Sequence, residues 1–281
     1  MLIGIIGNGF VGSALKEIKC EGIEIKTYDT NPNLCDPIGL KLDDLHICEI
    51  IFISVPTPMN SDGSCYLNII HSVLNELHNI QYKGHIVLRS TIPVGTCDKL
   101  KCNFMPEFLT EKNYKNDFIN NKQWFFGLLN DEKDSSFIDS ITKLFLLAFK
   151  NDKIKYNDLV FLKNKECEMI KLFRNCFLAT KVSFCNEIYE FCGLKDTNYE
   201  IVRKYATTDE RIMQNHTYVP GHDGLFGYGG TCFPKDCSSL KYEMDSVGMK
   251  SYILESVINR NVMKDRPEKD WCADKGRAVV D

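Results

Sequence analysis

One stretch in the second half of the chain combines glycines with side chains that can do covalent chemistry. This cysteine loop reads Phe226-Gly-Tyr-Gly-Gly-Thr-Cys-Phe-Pro-Lys-Asp236. Its three glycines would let a ligand approach the backbone closely. Cys232 precedes a predicted helix that begins near Asp236, so its thiol would lie close to a helix N-terminus and to Lys235, and both favour the thiolate. We therefore interpret Cys232 as a nucleophile rather than as a buried structural thiol.

A second glycine pattern lies at the start of the chain. Gly7-Asn-Gly-Phe-Val-Gly12 reads GxGxxG, after a short apolar run and before a segment with helical spacing. A following strand ends at Asp29, where dinucleotide-binding proteins carry a ribose-binding acid. The glycines would admit a pyrophosphate, and Asp29 would repel a 2′-phosphate, which favours NAD over NADP; the alternative is a purely structural turn. The predicted NAD contacts here are Gly7, Gly9, Phe10, Val11, Gly12 and Asp29.

These groups need a scaffold, and the hydrophobic pattern predicts an α/β fold. Short apolar runs alternate with helical segments, which indicates a doubly wound parallel sheet covered on both faces. The predicted strands are Leu2–Ile6, Ile23–Tyr28, Ile50–Val55, His85–Ser90 and Phe125–Leu129. The predicted helices are Val11–Lys19, Leu67–Leu77, Glu166–Cys192 and Ser238–Val247. The third of these is long, lacks Gly and Pro, and should end at Gly193.

The pattern divides the chain into three ranges. Residues 1–163 should form a Rossmann-like NAD-binding domain. Residues 164–265 should form a long central helix and a helical dimerisation domain that carries the cysteine loop. Residues 266–281 carry many charges and should be a surface tail or a frayed helix.

The bulk composition narrows the classes of function. The formal net charge is -4 and the basic residues are scattered, so neither nucleic acid nor an anionic membrane is expected as a partner. No apolar stretch has the ~20 residues that span a bilayer. The 13 cysteines form no CxxC pairs or His/Cys clusters, so we expect no metal site and no disulfide framework. Reduced thiols are typical of a cytoplasmic protein.

The cysteine loop also resembles a family signature. Its string GYGGTCFPKD is similar to that of the UDP-glucose/GDP-mannose dehydrogenase family, in which the cysteine is the nucleophile. Four more blocks resemble that family in the expected order: Ser54–Pro58, Ser90–Thr96, Met105–Glu111 and Glu168–Lys181. Met105 stands where the family usually has asparagine. The resemblance covers most of the chain and adds to the NAD interpretation.

The resemblance implies roles for further residues. Lys171 and Asn175, four apart on the long helix, would stabilise an alkoxide or a tetrahedral oxyanion. Glu107 and Glu111, with the same spacing if that segment is helical, would lie around the substrate and the attacking water. The implied catalytic set is Cys232, Lys171, Asn175, Asp236, Glu107, Glu111 and Thr91, the last beside the nicotinamide. The further implied NAD contacts are Val55, Thr57, Ser90, Thr91 and Glu111.

The implied substrate is a nucleotide sugar, and UDP-glucose is favoured. Its C6 would be oxidised by four electrons to UDP-glucuronate, through a thiohemiacetal and a thioester on Cys232. Covalent capture would keep the aldehyde from escaping between the two oxidations. The implied substrate contacts are Glu107, Phe108, Leu109, Glu111, Lys171, Asn175, Arg211, Phe226, Tyr228 and Gly229.

Other functions remain open. GDP-mannose or a UDP-N-acetylhexosamine would use the same cysteine loop. A β-hydroxyacid dehydrogenase would share the first domain, but its single oxidation needs no thiol. The chain could also be a relative that binds NAD or a nucleotide sugar without turnover.

The chain departs from the resemblance in its length. The family's second Rossmann-like domain, which closes over the nucleotide, has no room before residue 281, so we expect a short form. Arg211 and the loop after it would then hold more of the substrate. His216 and His222 would reach phosphate or, as an equal alternative, be exposed loop histidines. The long helix is apolar on more than one side, which predicts a homodimer.

Overall fold

The computed structural model describes residues 1–280, which form two compact units. Unit 1 comprises Met1–Thr57 and Leu67–Lys171, and unit 2 comprises Pro58–Tyr66 with the chain from Leu172 onward. This division differs from the predicted ranges because contacts, and not sequence proximity, define a compact unit. The segment Pro58–Tyr66 belongs to unit 2, and unit 1 ends inside the long helix rather than before it.

Unit 1 is built on a sheet that has seven strands within the described residues. They are β1 (Leu2–Ile6), β2 (Glu24–Tyr28), β3 (Ile50–Ile53), β4 (His85–Leu88), β5 (Asn103–Phe104), β6 (Trp124–Leu128) and β7 (Leu159–Lys163). Their order is β2-β1-β3-β4-β5-β6-β7, and every neighbouring pair is parallel except β5 with β6. The predicted α/β class is confirmed. Two of the seven strands, β5 and β7, were not predicted. Strand β5 has only two residues, too few to show a periodic pattern.

Helices cover the sheet of unit 1 on both faces. They are α1 (Phe10–Leu15), α2 (Asn68–Asn79), α3 (Thr96–Leu100), α4 (Tyr114–Ile119) and α5 (Asp134–Lys150). On β3, Ile50 and Phe52 belong to one hydrophobic cluster, whereas Ile51 and Ile53 belong to another. Because successive strand residues point to opposite faces, both faces of this strand are buried, as the continuous apolar run predicts.

Helix α6 (Asn164–Leu194) begins in unit 1 and continues into unit 2. The predicted long helix is therefore present, although Gly193 lies inside its last turn and not beyond it. Three more helices follow in the described part of unit 2: α7 (Tyr199–Ala206), α8 (Phe233–Ser246) and α9 (Tyr252–Arg260). Helix α8 begins three residues before Asp236, because Pro234 fits a first helical turn, so Cys232 is the N-cap residue.

The residues after α9 are packed into unit 2. A π-helical turn, Asn261–Asp265, precedes a short 3-10 helix, Asp270–Ala273. Arg266 and Trp271 are only 2% and 4% exposed. The segment therefore differs from the predicted surface tail or frayed helix. Its many charged residues indicated exposure, but its buried side chains contact partners that lie far away in the sequence. Residue 281, the last of that predicted tail, lies outside the described residues.

Two features are absent from residues 1–280. None of the helices within those residues has the length and hydrophobicity of a transmembrane segment. No group of three or more His, Cys, Asp or Glu side chains there could hold a metal ion.

Candidate active site

The carboxyl end of β1 is a topological switch point in unit 1. The chain runs from β1 to β2 on one side and then to β3 on the other. In open α/β sheets, ligands bind outside the carboxyl ends of the strands at such a point. Gly7 directly follows β1, and Phe10 and Val11, both half-buried, begin α1. The glycine turn therefore lies where a nucleotide is expected.

The three glycines of this turn have different surroundings. Gly7 has a φ of +89°, and a Cβ there would lie 2.7 Å from the carbonyl oxygen of Ser54. A Cβ on Gly12 would lie 1.9 Å from the carbonyl oxygen of Gly7. At Gly9, no heavy atom of the described residues lies within 4 Å of such a Cβ. Gly7 and Gly12 therefore serve close packing, whereas Gly9 leaves the backbone open to a ligand.

Asp29 is half-buried beside the glycine turn. Its Oδ2 accepts a hydrogen bond from the backbone N–H of Asn8 at 2.7 Å, and its Oδ1 accepts one from Asn31 at 2.9 Å. The Cys35 thiol donates to the Asp29 carbonyl oxygen at 3.3 Å. Each carboxylate oxygen keeps a further lone pair for a ribose hydroxyl. With the open backbone at Gly9, these residues fit a dinucleotide.

The segments that follow β3 and β4 are joined by hydrogen bonds. The Ser90 hydroxyl donates to the carbonyl oxygen of Val55 at 2.5 Å. The Thr57 hydroxyl donates to the carbonyl oxygen of Thr91 at 2.7 Å. Four residues that the sequence analysis predicted as NAD contacts are thus brought together at neighbouring strand ends.

Arg89 is a buried cation in unit 1 that the sequence analysis missed. It is 2% exposed and donates from Nη1 to the carbonyl oxygen of Val11 at 2.9 Å. Burial lowers the pKa of Arg89 to about 10, although the charge of Glu107 raises it, so the guanidinium stays protonated at neutral pH. The available signal was a basic residue at the end of an apolar run.

Glu107 and Lys171 form a buried ion pair in unit 1. Lys171 Nζ donates to Glu107 Oε1 at 2.6 Å and to the Glu107 carbonyl oxygen at 2.7 Å. Burial raises the pKa of Glu107, but Lys171, the N–H of Leu109 and Arg89 outweigh it and leave the pKa below its ordinary value. Two cations thus accompany one ionised carboxylate. The net positive charge favours an oxyanion and makes Glu107 a weak proton acceptor.

The segment that carries Glu107 and Glu111 is not helical. The condition under which Glu107 and Glu111 would share a helix face is therefore not met, and Glu107 is buried whereas Glu111 is exposed. Phe108 lies with its ring centroid 5.8 Å from Lys171 Nζ. Leu109 packs against the core of unit 1. The proline between Met105 and Glu107 disfavours helical backbone before it.

Cys232 lies at the N-terminus of α8 in unit 2 and is half-buried. Its carbonyl oxygen accepts a hydrogen bond from the N–H of Asp236 at 3.0 Å. Lys235 Nζ lies 2.5 Å from Asp236 Oδ1, and its side chain is 12% exposed. Burial lowers the pKa of Lys235, but the charges of Asp236 and Cys232 outweigh it and raise the pKa above its ordinary value. An ammonium is therefore retained within electrostatic reach of the thiol.

Asp236 connects α8 to the long helix within unit 2. It is 1% exposed, and its Oδ2 accepts a hydrogen bond from Asn175 Nδ2 at 2.6 Å. Because Lys235 and Asn175 each occupy one carboxylate oxygen, Asp236 orients its neighbours better than it accepts a proton. The sequence analysis named Asn175 and Asp236 but did not predict that they bond across 61 residues.

The other predicted substrate contacts of unit 2 lie in different surroundings. Arg211 is exposed and its Nη2 lies 2.6 Å from Asp209 Oδ2. Phe226 is 42% exposed. Tyr228 is buried and lines a cavity of about 530 Å³, and Gly229 is half-buried. Arg211 is thus engaged at the surface, whereas Tyr228 belongs to the interior.

Both loop histidines are exposed. The ring centroid of His216 lies 5.7 Å from that of Phe233, the residue after Cys232. His222 is also on the surface. Exposure fits the simpler of the two interpretations, that they are surface loop residues.

The glycines of the cysteine loop are explained largely by the protein's own side chains. A Cβ on Gly227 would lie 2.3 Å from Asn261 Oδ1, and a Cβ on Gly229 would lie 2.7 Å from Arg266 Cζ. Of the three, only Gly230 has no heavy atom of the described residues within 4 Å of its Cβ position. The expectation that all three glycines open the backbone to a ligand is corrected to Gly230 alone.

Two family models match the chain. The NAD binding domain of the UDP-glucose/GDP-mannose dehydrogenase family matches residues 41–145, and the central domain of that family matches residues 165–262. The first match begins after the glycine turn, so the fit of that turn to a dinucleotide rests on its geometry. Together the two matches cover most of units 1 and 2.

Curated relatives and solved structures agree with these matches. A UDP-glucose 6-dehydrogenase of Pseudomonas aeruginosa is 29% identical over 231 residues, 76% of this chain and 48% of the relative. One of Bacillus subtilis is 31% identical over 228 residues, again 76% and 48%. The chain thus spans about half the length of these curated relatives.

The structural comparisons show the same fold. A UDP-glucose dehydrogenase of Pyrobaculum islandicum has a TM-score of 0.77 at 23% identity, over 92% of this chain and 67% of that one. A GDP-mannose dehydrogenase of Pseudomonas aeruginosa has a TM-score of 0.65 at 20% identity, over 98% and 71%.

Proposed function

Because this chain belongs to the UDP-glucose/GDP-mannose dehydrogenase family, we propose that it oxidises the C6 primary alcohol of a nucleotide sugar to a carboxylate. We favour UDP-glucose because the names of the curated relatives specify it. The observation that carries the proposal is the start of α8, where Cys232 is the N-cap residue beside the ion pair of Lys235 and Asp236. A dehydrogenase that carries out two successive oxidations needs a nucleophilic thiol, because the thiol holds the aldehyde between them.

Cys232 is the proposed covalent catalyst. Loss of a proton to a water-linked base and of a hydride to the dinucleotide acceptor converts the sugar C6 alcohol to an aldehyde. The thiolate of Cys232 adds to the carbonyl carbon and forms a thiohemiacetal, and loss of a second hydride gives a thioester. Water then cleaves the carbon–sulfur bond, releasing the acid and the thiol. The N-terminus of α8 and the Lys235 ammonium support the thiolate.

The buried cations and amides are assigned to charge stabilisation. Lys171, held by Glu107, would donate to the developing alkoxide at C6. Asn175, oriented by Asp236, would donate to the oxyanion of the tetrahedral intermediates. In this assignment Glu107 and Asp236 keep their neighbours in position and do not carry the proton away.

Water positioning and substrate contacts are assigned to the more accessible predicted residues. Thr91 and Glu111 would hold the attacking water, and their partial or full exposure is compatible with that role. Phe108, beside Lys171, would contact the substrate, as would Leu109 and Phe226. Arg211 would have to exchange its contact with Asp209 for one with phosphate.

NAD supplies the acceptor for both hydrides. We assign its pyrophosphate to the open backbone at Gly9 and its adenosine ribose to Asp29, both of which fit in shape and charge. The strand ends after β3 and β4, with Val55, Thr57 and Ser90, would line the nicotinamide side.

We also propose a homodimer and a cytoplasmic location. The exposed phenylalanines of α6 support the first. The thiol state of the cysteines, 13 in number, supports the second, because disulfides persist in oxidising compartments.

The test mixes the purified chain with NAD and UDP-glucose and measures NADH and uronate together. We expect two NADH for each uronate, and a Cys232→Ser variant should form no uronate. Cys272→Ser is the matched control, because this thiol is exposed and belongs to the segment after α9. It should keep full activity.

The other possible outcomes would each change a different part of the proposal. Activity with GDP-mannose or a UDP-N-acetylhexosamine instead of UDP-glucose would retain the chemistry and change the substrate. Full uronate formation by Cys232→Ser would rule out the covalent scheme. NAD binding without turnover of any sugar would indicate that the chain binds the cofactor but does not catalyse the reaction.

A further inference from the structure

The backbone of the cysteine loop is held by amide side chains from elsewhere in unit 2. Asn186 Oδ1 accepts a hydrogen bond from the N–H of Gly227 at 3.1 Å. Asn261 binds Tyr228 twice, accepting from its N–H at 2.9 Å and donating to its carbonyl oxygen at 2.9 Å. All of these groups are buried. The path of the loop over Gly227 and Tyr228 is therefore fixed by α6 and by the turn after α9.

The next residue of the loop, Gly229, lies directly against Arg266. A Cβ at Gly229 would lie 2.7 Å from Arg266 Cζ and 2.9 Å from both Nε and Nη1, so the guanidinium fills the space of a side chain. Arg266 is 2% exposed, and its N–H donates to the carbonyl oxygen of Asn261 at 2.7 Å. One short segment, from Asn261 to Arg266, thus supports two consecutive residues of the loop, Tyr228 and Gly229.

Acidic residues on two segments of unit 2 hold the Arg266 guanidinium. Nη2 lies 2.6 Å from Asp223 Oδ2, and Nε lies 2.8 Å from Asp270 Oδ1. The carboxylate of Glu268 is farther away, at 4.0 Å. Two close carboxylates already compensate one cation, so Arg266 offers no surplus positive charge to a substrate phosphate. Its geometry suits holding the loop in place.

Asp223 belongs to the turn that leads into the cysteine loop. The N–H of Gly221 donates to the carbonyl oxygen of Leu225 at 2.8 Å, and the N–H of Leu225 donates to Asp223 Oδ1 at 3.1 Å. Arg266 therefore connects this turn, the loop at Gly229 and the helix that begins at Asp270. At the next residue, Gly230, no heavy atom of the described residues lies within 4 Å of the Cβ position, and φ is +71°.

We propose that Arg266 is a positioning residue for Cys232: locked by Asp223 and Asp270, its guanidinium fixes Gly229 and so sets the direction from which the thiol meets the aldehyde. The inference rests on the proposed function, in which Cys232 is the nucleophile. Because Gly230 and Thr231 alone separate Gly229 from Cys232, a displaced Gly229 is transmitted to the thiol.

The test compares Arg266→Lys with wild type in three measurements. Lysine keeps the positive charge but lacks the planar fork that pairs with two carboxylates. We expect the KM values for nucleotide sugar and NAD to stay within threefold and kcat to fall at least tenfold. The first oxidation needs no thiol, so aldehyde should escape and the NADH formed per uronate should rise above two. Alkylation of Cys232 by iodoacetamide at pH 7, followed by peptide mass spectrometry, should slow at least fivefold.

Two further variants keep the test decisive. Asp223→Asn removes one of the two carboxylates that hold Arg266, and Asp223 lies in a partly exposed turn. This variant should therefore fold even if Arg266→Lys does not. It should show the same changes to a smaller extent. Glu268→Gln is the matched control in the same segment and should behave as wild type. A folded Arg266→Lys protein with wild-type kcat, NADH-to-uronate ratio and alkylation rate would overturn the inference.

The alkylation measurement separates this inference from the proposed function. It needs no substrate, so slower modification of Cys232 in Arg266→Lys would support the positioning role even if wild type oxidised no sugar. Wild-type turnover with unchanged alkylation in both variants would support the function and reject the role of Arg266.

Discussion

The charge of Glu107 depends on a lysine that lies 64 positions later in the chain. Both side chains are nearly inaccessible, at 6% and 4% exposure, so neither ion could be kept there without the other. Glu107 is held below its ordinary pKa by Lys171, and Lys171 is aimed by two oxygens of Glu107. At the residue scale, the candidate chemistry of unit 1 is therefore a property of the pair.

Removing the lysine should expose this dependence. Lys171→Met leaves a buried carboxylate with less compensation, and we expect it to lower the free energy of unfolding by about 3–5 kcal/mol at neutral pH. Urea unfolding followed by circular dichroism measures the change. Lys165→Met is the matched control on the same helix. Its side chain is 63% exposed and its ion pair with Asp98 spans 3.7 Å, so its effect should stay below about 1 kcal/mol.

The effect of Lys171→Met should also depend on pH. In wild type the folded pKa of Glu107 is lowered, so its contribution to stability is present above the ordinary glutamate pKa and is lost as the pH falls through the folded pKa. In the variant, burial without the lysine raises that pKa instead. The stability difference between the two proteins should therefore be largest at neutral pH and shrink in acid. A pH-independent difference would contradict the ion pair.

At the scale of elements, the contact of α1 with the end of β1 explains why the glycines of one motif are not equivalent. Gly12 brings α1 against the backbone of Gly7, where even a methyl group has no room. Gly9 has a φ of -67° and an extended ψ, a conformation that any residue adopts, and its Cβ position is open. One glycine is required by packing, and the other is available to a ligand.

Alanine substitutions should separate these two uses. Gly12→Ala places a Cβ against a backbone oxygen that cannot move aside, so we expect a loss of at least about 3 kcal/mol in the free energy of unfolding. Gly9→Ala should fold with wild-type stability but bind NAD about tenfold or more weakly, because its Cβ occupies the proposed pyrophosphate space. Urea unfolding and NAD titration by calorimetry measure the two effects. Wild-type NAD affinity in Gly9→Ala would remove Gly9 from the predicted contacts.

At the scale of the whole molecule, α6 carries an apolar stripe that its own chain leaves exposed. Phe173, Phe177, Phe184 and Phe191 are between 55% and 62% exposed. With about 100° of rotation for each residue, these four positions fall within about 40° of one another around the helix. The rings of Phe173 and Phe177 are stacked with centroids 6.1 Å apart. A contiguous stripe of this kind supports the proposed homodimer.

A charge in the stripe should prevent self-association. We expect wild type to have the mass of a dimer in solution and Phe177→Asp to have that of a monomer, with a dissociation constant at least about 30-fold higher. Light scattering after size-exclusion chromatography measures both. Lys165→Ala, an exposed change in the first turn of α6, should leave the mass unaltered. A wild-type monomer at every concentration would reject the proposal.

Features encoded by neighbouring residues could be predicted from the sequence alone. The strands of the α/β sheet, the long helix and the glycine turn depend on side-chain periodicity and on backbone freedom over a few positions. The pattern around Cys232 predicted a helix start, although it placed that start three to five residues too late, near Asp236 or at Ser238 rather than at Phe233. The position of Asp29 beside the glycine turn followed from the number of residues between them, because a strand–helix–strand unit determines that spacing.

Features that depend on the path of the chain were decided only by the tertiary structure. Lys171 meets Glu107, and Asn175 meets Asp236, across 64 and 61 residues. The cysteine-loop glycines make room for Asn261 and Arg266, and not chiefly for a ligand. No local pattern specifies these partners, because a buried polar group is satisfied by whichever donor the fold brings within about 3 Å. The prediction that Cys232 is a nucleophile therefore came from its loop alone, whereas the side chains that pair with Lys171 and with Asn175 could be identified only from the structure.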